Sequence, residues 1–406
     1  MQRFEKHSPV VVTEVTTRHE LRQFMQYPNR LYADNPNYIP SFYGDDLDDW
    51  TPGKNPAFDY CEARCWLARR DGEIVGRIGA ILSHKANEKF GTHCMRFSQV
   101  DFVDDSEVSA ALFGTVERWA REKGCDQVHG PLGFTDMDRE GMLVEGFDRR
   151  SLFFTNYNAP YYLEHLTRLG YRKDVDWIEY RITVPEPGGA EAERLHKLSE
   201  FILKRKHLHV ATVHHKSEYG PFVRQVFELV NAAYAPLYGV VELSDEQIER
   251  YANKFIPLVD PDFVCFVVDE QDQLVAFGVT ALDPSVALKH SDGRLFPFGW
   301  AGVLNDLHHS DTLIMLLTAV RPDLQAEGIN AVMMDHVCQS CNRHGVRFAE
   351  TGPMLELNDH ILAQWKRLEK EQHKRRRCFI KDLDHDVNAA NAAAAQTETP
   401  ETESAE

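Results

Sequence analysis

The strongest constraint on the fold is an order of strands and helices that occurs twice along the chain. Cys65-Trp-Leu-Ala opens one apolar hairpin, and Cys265-Phe-Val-Val opens another 200 residues later. Likewise, Lys-Gly-Cys-Asp-Gln-Val-His-Gly-Pro ends at Pro131, and His-Gly-Val-Arg-Phe-Ala-Glu-Thr-Gly-Pro ends at Pro353. Hydrophobic periodicity predicts the order β-α-β-β-β-α-β-α-β in each half. Because 406 residues exceed one ordinary core, the repeat predicts two modules of one kind.

A stretch rich in proline and glycine divides the two halves. Pro185-Glu-Pro-Gly-Gly-Ala190 has the composition of a linker. We therefore predict an N-terminal module at residues 1–185, a linker at 186–190 and a C-terminal module at 191–383. Residues 384–406 are mainly Ala, Thr, Glu and Pro with little to bury, so we predict a disordered acidic tail there.

The composition indicates a globular protein and argues against nucleic-acid-binding and membrane-spanning classes. An apolar fraction of 43% with 11% aromatic residues is typical of packed globular domains. A formal net charge of -18 argues against general nucleic-acid binding, which needs a basic surface. The opening residues MQRFEKHSPV lack the apolar core of a signal peptide, and no apolar run reaches the ~20 residues of a membrane helix. The sequence predicts a cytoplasmic protein without a membrane span.

The sequence positions of the eight cysteines predict a structural role for them. Most of them lie inside apolar or helical stretches, where cysteine behaves as a small apolar residue. Cys338-x-x-Cys341, with His344 nearby, has the spacing of a metal or redox pair, but it lies in a predicted helix without a second such pair. We predict no metal site.

The stretch from Thr312 to Asn330 has the pattern of an anion-binding loop. Leu313 to Val320 is an apolar run, as in a strand covered on both faces. Gln325-Ala-Glu-Gly-Ile-Asn330 follows and leads into a helical pattern from Ala331 to Asn342. The first turn of a helix presents unpaired N–H groups, and Gly328 permits close approach of a ligand to the backbone. The pattern predicts binding of a phosphate or pyrophosphate.

This strand, loop and helix resemble the acyl-CoA loop of the GNAT N-acetyltransferase superfamily, whose pattern is Gln/Arg-x-x-Gly-x-Gly/Ala. Gln325 and Gly328 match the pattern, and Asn330 stands where the family has Gly or Ala. Segments of the first half resemble a group of large bacterial two-module GNAT-like proteins. Those segments are Tyr32 to Pro40, Gly76 to Ala80, Val128 to Pro131, Gly141 to Asp148 and Asn156 to Lys173.

The resemblance implies an α+β fold with two tandem GNAT-like modules, each a mixed, mostly antiparallel sheet flanked by helices. It also implies an acyl-CoA-dependent N-acyltransferase that moves an acetyl or other acyl group from acyl-CoA to the amine of a small molecule or peptide. In the second module, the implied cofactor-binding residues are Ala319, Val320, Gln325, Ala326, Glu327, Gly328, Ile329, Asn330 and Asn358. In the first module, the segment Val103-Asp-Asp-Ser-Glu107 has three acids and no glycine, which predicts that this copy does not bind CoA.

Glu350 is the candidate general base. Val346, Phe348 and Glu350 share one face of a strand by alternation, and burial beside apolar neighbours would raise the pKa of the carboxyl. The other interpretation is a Glu at a strand end that turns to solvent. Many members of the superfamily use a tyrosine as an acid on the next helix, here predicted from Asn358 to Lys370. Trp365 stands near that position and cannot donate its proton to a thiolate.

Polar residues in the first half are candidates for contact with the acceptor amine. Asn156, Asn158 and Tyr161 occur near acids at positions 136, 138, 140 and 145, a composition that suits a cationic substrate. The same residues also fit a hydrogen-bonded loop that shapes the fold.

The alternative function is a catalytically inactive GNAT-fold binding or scaffold protein. Asn330 and Trp365 favour this alternative, whereas Gln325 and Gly328 favour an enzyme. The sequence leaves open the acceptor, the acyl length and the oligomeric state.

Overall fold

The computed structural model describes residues 8–383, so the tail predicted at 384–406 lies outside the described residues. Short local signals fix many of the elements. Thr17 and Glu20 form a reciprocal capping box at the start of the first helix. Asp71 and Gly72 both have positive φ, as the two-residue turn of a hairpin requires.

In the first half, from residue 8 to residue 183, the structure shows seven strands and five α-helices. They are β1 Val11–Glu14, α1 Arg18–Leu31, α2 Tyr43–Asp49, β2 Cys61–Arg70, β3 Glu73–Ser83, α3 His84–Phe90, β4 Cys94–Phe102, α4 Ser106–Glu122, β5 Gln127–Gly130, β6 Met142–Glu145, α5 Tyr162–Arg168 and β7 Arg172–Thr183.

The second half repeats much of this order with additional helices. Its elements are α6 Ala190–Lys206, β8 His209–Val210, α7 Gly220–Tyr234, α8 Asp245–Phe255, β9 Val264–Val268, β10 Leu274–Leu282, α9 Ser285–His290, α10 Gly299–His309, β11 Thr312–Val320, α11 Asn330–His344, β12 Phe348–Glu350, β13 Met354–Leu355, α12 Asp359–Ala363 and β14 Lys370–Asp382.

One 14-stranded sheet runs through both halves. Twelve of its strands follow the order β1-β2-β3-β4-β5-β14-β7-β12-β11-β10-β9-β8, while β6 pairs with β14 and β13 pairs with β7 off this path. β4–β5 and β11–β12 are parallel, and the other described pairs are antiparallel. Helices flank the sheet; α4, for example, buries Val108, Leu112 and Val116 in the first-half core. The mixed, mostly antiparallel α+β fold with two related halves is confirmed.

The two halves exchange their last strands. β14, from the second half, lies between β5 and β7 of the first half, while β7 pairs on its other side with β12 of the second half. β7 and β14 pair with each other from Ile182↔Lys370 to Arg172↔Ile380. The middle of the sheet therefore belongs to both halves. The predicted division at residues 186–190, which follows β7, stays a prediction.

A gap between β11 and the strands beside it positions the candidate site. β11 pairs with β12 only at Thr312, Leu313 and Ile314, and then continues alone on that side to Val320. After Glu350 the chain leaves β12, and β13 pairs instead with β7. This divergence of two parallel strands leaves space for a ligand along the edge of β11.

The predicted helix from Asn358 to Lys370 is much shorter in the structure. Only Asp359–Ala363 forms α12, and the Asn358 side chain accepts a hydrogen bond from the Ile361 N–H at its start. Trp365 is buried, with its indole Nε1 directed at the Met354 sulfur. The helix ends early because the chain turns inward at Trp365 to begin β14.

Strand exchange gives a testable expectation about the isolated halves. A chain of residues 1–189 should lack a cooperative thermal unfolding transition in circular dichroism, because β5 and β7 both lose β14 as a partner. Coexpression with residues 190–406 should restore a folded complex that purifies as one species. A sharp unfolding transition of residues 1–189 alone would contradict the expectation.

Candidate active site

A cavity of about 1370 Å³ lies at the gap beside β11. Its walls come from five places: the end of β11 with the loop that follows, β13, the start of α6, the segment after α7, and the chain around α12. Asp136, Glu140, Asp174 and Trp177 of the first half also line it. Both halves therefore build one cavity.

Eight of the nine predicted cofactor residues line this cavity. They are Ala319, Val320, Gln325, Ala326, Gly328, Ile329, Asn330 and Asn358. The ninth, Glu327, instead pairs with Lys206 on α6, with 2.7 Å between the carboxylate and Nζ. The structure thus brings together residues that the sequence pattern grouped, and their role in binding acyl-CoA stays a prediction.

The loop before α11 has the local form of an anion site. Ala326 and Gly328 both have positive φ, which turns the chain sharply into the helix. Ile329, at the N-cap, provides no side-chain cap. Within residues 8–383, no acceptor bonds the N–H groups of Gly328, Ile329 or Asn330. These free donors at the start of a 15-residue helix suit a phosphate group.

Two arginines line the same cavity. Arg367, after α12, adds positive charge, whereas Arg194 on α6 pairs with Glu191, which also lines the cavity. Sequence reasoning missed them, since isolated arginines far from the loop carry no local signal. The basic run from Lys374 to Arg377 on β14 does not line this cavity. Two of its arginines, Arg375 and Arg377, both donate hydrogen bonds to Asp176.

An apolar side branch adjoins the main cavity. It has a volume of about 90 Å³ and shares Leu195, Thr318, Asn330 and Met334 with the main cavity. Its lining between β10, β11 and α11 is almost wholly apolar, with sulfur from methionine and cysteine: Met315, Leu317, Met333, Val337, Cys338 and Cys341. A branch of this volume suits a few carbons of a hydrocarbon chain.

The first half contributes desolvated carboxyl groups. Burial raises the pKa of Asp136 to about 6, and the charge of Asp138 adds to the shift. Burial, reinforced by Asp136, also raises the pKa of Glu140 well above its usual value. The Glu140 Oε1 atom is buried and has no hydrogen-bond partner within the described residues. Carboxyl groups with raised pKa in a cavity are typical of functional sites.

A second polar cluster surrounds Tyr238, which follows α7 and lines the cavity. Its hydroxyl donates to Asp174, and it lies 3.1 Å from His129 Nδ1 and 3.4 Å from Cys378 Sγ. Burial lowers the pKa of His129, which favours the neutral imidazole. Sequence reasoning missed this cluster because its members come from β5, β7, β14 and the segment after α7.

The ligand atoms of His129, Asp174 and Cys378 lie within 4.8 Å of one another, a spacing that a metal ion could bridge. However, the Tyr238 hydroxyl already contacts all three groups. We therefore interpret the cluster as a hydrogen-bonded network.

The eight cysteines are free thiols and are buried.

Glu350 is buried, as strand alternation indicates. The sequence predicted apolar residues beside its carboxylate, whereas in the structure a lysine lies there. The Glu350 carboxylate lies 3.2 Å from Lys374 Nζ of β14, which also lies 3.3 Å from Glu179 of β7. Glu350 is not among the lining residues of the two cavities above. Strand exchange places Lys374 here, and the assignment of Glu350 as a general base stays a prediction.

The predicted acceptor residues lie outside the main cavity. The Asn158 side chain bonds both backbone groups of Leu143, at 2.7 and 3.0 Å. Asn156 Nδ2 donates to the Gly141 carbonyl at 3.0 Å, and the Tyr161 hydroxyl donates to the Phe102 carbonyl. These contacts match the fold-shaping alternative that the sequence left open. Their role in binding substrate stays a prediction.

The architecture and the cavity together define a protein with the tandem GNAT fold. A tandem GNAT protein from the clavulanic acid biosynthesis pathway matches with a TM-score of 0.53 at 14% identity, covering 92% of this chain and 99% of that one. A GCN5-related N-acetyltransferase from Sphaerobacter thermophilus matches with a TM-score of 0.50 at 12% identity, covering 92% and 96%. At these identities the likeness establishes the fold.

Two curated proteins resemble the sequence itself. Protein YghO of Escherichia coli is 27% identical over 379 residues, which cover 92% of this chain and 95% of YghO. A bacterial ceramide synthase of Caulobacter vibrioides is 28% identical over 300 residues, which cover 72% of this chain and 75% of that protein. No family model matches the sequence.

The helices between residues 8 and 383 include none with both the length and the apolar composition of a membrane-spanning segment.

The raised pKa of Asp136 predicts a pH-dependent effect of its removal. Folding raises this pKa from 3.8 to about 6, so ionisation destabilises the native state as the pH rises through that range. Asp136→Asn should therefore increase the free energy of unfolding at pH 8 by about 1–3 kcal/mol, and the gain should vanish below pH 4. Urea titrations at several pH values measure it.

Asp148→Asn is the matched control, because the Asp148 side chain is 83% exposed. It should change stability little at any of these pH values. A stability gain for Asp136→Asn that is equal at pH 4 and pH 8 would show that ionisation of Asp136 is not the cause.

Proposed function

We propose that the protein transfers an acyl group from acyl-CoA to the nitrogen of an amine. The observation that carries the proposal is the convergence of the predicted CoA residues on one cavity, where Gly328, Ile329 and Asn330 present free N–H groups. These donors would hold the pyrophosphate. The unpaired edge of β11 would hold the amides of the pantetheine arm, as an added strand would be held.

The chemistry needs a neutral amine and a destination for each proton that the nitrogen loses. The amine nitrogen forms a bond to the thioester carbonyl carbon, the carbon–sulfur bond breaks, and the proton lost from that nitrogen converts the departing CoA thiolate to the free thiol. An ammonium acceptor must first lose a proton to a base. Glu350 is the proposed base. The neutral imidazole of His129, linked to the cavity through Tyr238, is a second candidate.

The acidic part of the cavity supports a cationic acceptor. Asp136, Glu140 and Asp174 would meet an ammonium group within a desolvated site, where opposite charges attract strongly. The first half would then supply the acceptor site while the second half supplies the acyl-CoA site. We place the acceptor with these carboxyl groups. Asn156, Asn158 and Tyr161 lie outside this cavity, so their contact with the acceptor is a separate prediction.

The apolar branch supports an acyl chain longer than acetyl: its volume of about 90 Å³ can hold a few carbons, and the rest of a long chain would lie in the main cavity. One curated relative is named a ceramide synthase, and a ceramide is the amide of a long-chain acid with a long-chain amine. Leu198 and Leu357 line the main cavity and are 44% and 82% exposed, so its opening is also apolar. We therefore propose a long-chain acyl-CoA as donor and an amphiphilic amine as acceptor.

Gly328→Val tests the acyl-CoA site. Gly328 has φ +85°, a backbone conformation that valine rarely adopts, and an added Cβ would lie 3.0 Å from Ile202 Cδ1, so valine strains the loop and crowds Ile202. We expect the affinity for acetyl-CoA to fall about 100-fold, equal to ~2.8 kcal/mol, in isothermal titration calorimetry. Gly72→Val is the matched control: Gly72 has a similar φ of +86° but lies in the β2–β3 turn, in open space.

The control separates backbone strain from loss of binding. Gly72→Val should reduce stability but leave the affinity for acetyl-CoA within threefold, or ~0.7 kcal/mol. Absence of any CoA binding by the wild-type protein would refute acyl transfer and favour the inactive binding or scaffold alternative.

Met333→Trp tests the acyl-chain branch. Met333 is buried on α11 and lines the branch, so a larger ring should fill it. We expect affinity for palmitoyl-CoA to fall about 30-fold, or ~2 kcal/mol, while affinity for acetyl-CoA stays within threefold. Equal losses for both ligands, measured by calorimetry, would place the long chain elsewhere.

A further inference from the structure

We propose that the segment between β10 and β11 attaches the protein to the interfacial region of a lipid bilayer. Three aromatic side chains form an exposed aromatic knob: Phe296, Phe298 and Trp300 are 81%, 80% and 48% exposed. Val286 on α9 and Leu304 on α10 are 50% and 45% exposed. Two highly exposed phenylalanines only two positions apart in the sequence, with a half-exposed tryptophan after them, mark an interaction surface.

A rigid loop holds the aromatic knob outward. The Trp300 N–H donates to the Leu295 carbonyl at 2.8 Å, and the Ala301 N–H donates to the Phe298 carbonyl at 3.2 Å. Leu295 packs inward against the core cluster beside β10 and β11. An added Cβ on Gly299 would lie 1.9 Å from the Arg294 carbonyl oxygen, so the loop closes tightly on itself. The loop geometry therefore keeps Phe296 and Phe298 in solvent.

The base of the loop is fixed to the first half. The Tyr43 N–H donates to the Gly293 carbonyl at 2.9 Å, and Asn29 Nδ2 donates to the Asp292 carbonyl at 3.1 Å. The Arg294 guanidinium lies over the Tyr43 ring, 5.4 Å from its centroid. These contacts come from α1 and α2, so the aromatic knob has a fixed position on the body of the protein. A preformed surface loses little entropy when it binds.

The chemistry of the aromatic knob selects a lipid surface as its occupant. Phenylalanine and tryptophan are the side chains that partition into the headgroup boundary of a bilayer. The segment from Ser285 to His309 contains two cations, Lys289 and Arg294, and two acids, Asp292 and Asp306, so its formal charge is zero. The whole chain carries -18, which anionic lipids repel. A segment with no net charge can approach such a surface more easily than the acidic chain as a whole.

This inference stands apart from acyl transfer, although an amphiphilic amine would reside in the same bilayer. Shallow insertion of two phenylalanines and one tryptophan needs no membrane-crossing helix. The arrangement would place the protein on the membrane surface with α9 and α10 facing the lipid.

Flotation with lipid vesicles tests the surface in the absence of any CoA compound. The full-length protein should float with vesicles of phosphatidylcholine mixed with phosphatidylglycerol. The double variant Phe296→Ser with Phe298→Ser should show about tenfold weaker binding, since both side chains are at least 80% exposed and contribute little to folding. A control variant, Val11→Ser with Phe90→Ser, removes two exposed apolar side chains on the first half and should float like the wild type.

Three results would overturn the proposal. The wild-type protein could stay in the soluble fraction with these vesicles. The double variant could float as well as the wild type. Alternatively, gel filtration could show a wild-type dimer that the double variant dissociates while neither binds vesicles, which would make the aromatic knob a contact between two copies of the chain. Gly328→Val should float like the wild type, so failure of the acyl-CoA site and failure of this surface are separate results.

Discussion

The pairing of β7 with β14 is the contact on which the rest of the structure depends. The two strands are the last of their respective halves, and each one bonds to the opposite half on its outer side. Glu179 on β7 and Lys374 and Arg376 on β14 are almost completely buried between them. Burial opposes ionisation of Glu179, but Arg376 and Lys374 hold its pKa below the usual value. A shift of register would leave buried charges unpaired, which is strongly destabilising.

This central pair determines which residues can meet in the cavity. Asp174 and Trp177 on β7 reach the wall formed by β13 because β7 lies beside the second half. Cys378 on β14 reaches His129 on β5 for the same reason. Neither contact would exist if each half closed its own sheet. The acidic wall and the loop proposed to bind acyl-CoA therefore share one cavity as a consequence of strand exchange.

The helix start and the strand edge that form the candidate site in the second half are already hydrogen-bonded in the first half. In the first half, the Asp105 side chain accepts hydrogen bonds from the Glu107 and Val108 N–H groups, so the start of α4 is already capped. The Leu132 N–H and the Tyr161 hydroxyl bond the carbonyls of Phe97 and Phe102 on β4. The corresponding edge of β11 in the second half is open along most of its length, although Tyr234 bonds the Thr318 carbonyl. These contacts support the prediction that only the second half binds acyl-CoA.

The sequence by itself determined the features that depend on neighbouring residues. The hairpins, the apolar face of α4, the strand β11 and the glycine loop before α11 follow from periodicity and turn chemistry, which act over a few residues. The sequence predicted that β11 is covered on both faces, but Met315 to Thr318 are only half-buried. Tertiary structure alone decided the exchange of β7 and β14, the lysine beside Glu350, and the cluster of His129, Asp174, Tyr238 and Cys378. Each of these joins residues more than 20 positions apart. A local sequence pattern does not indicate which distant strand will pair with a given strand. Any strand with a compatible apolar face could complete the same hydrogen-bond ladder.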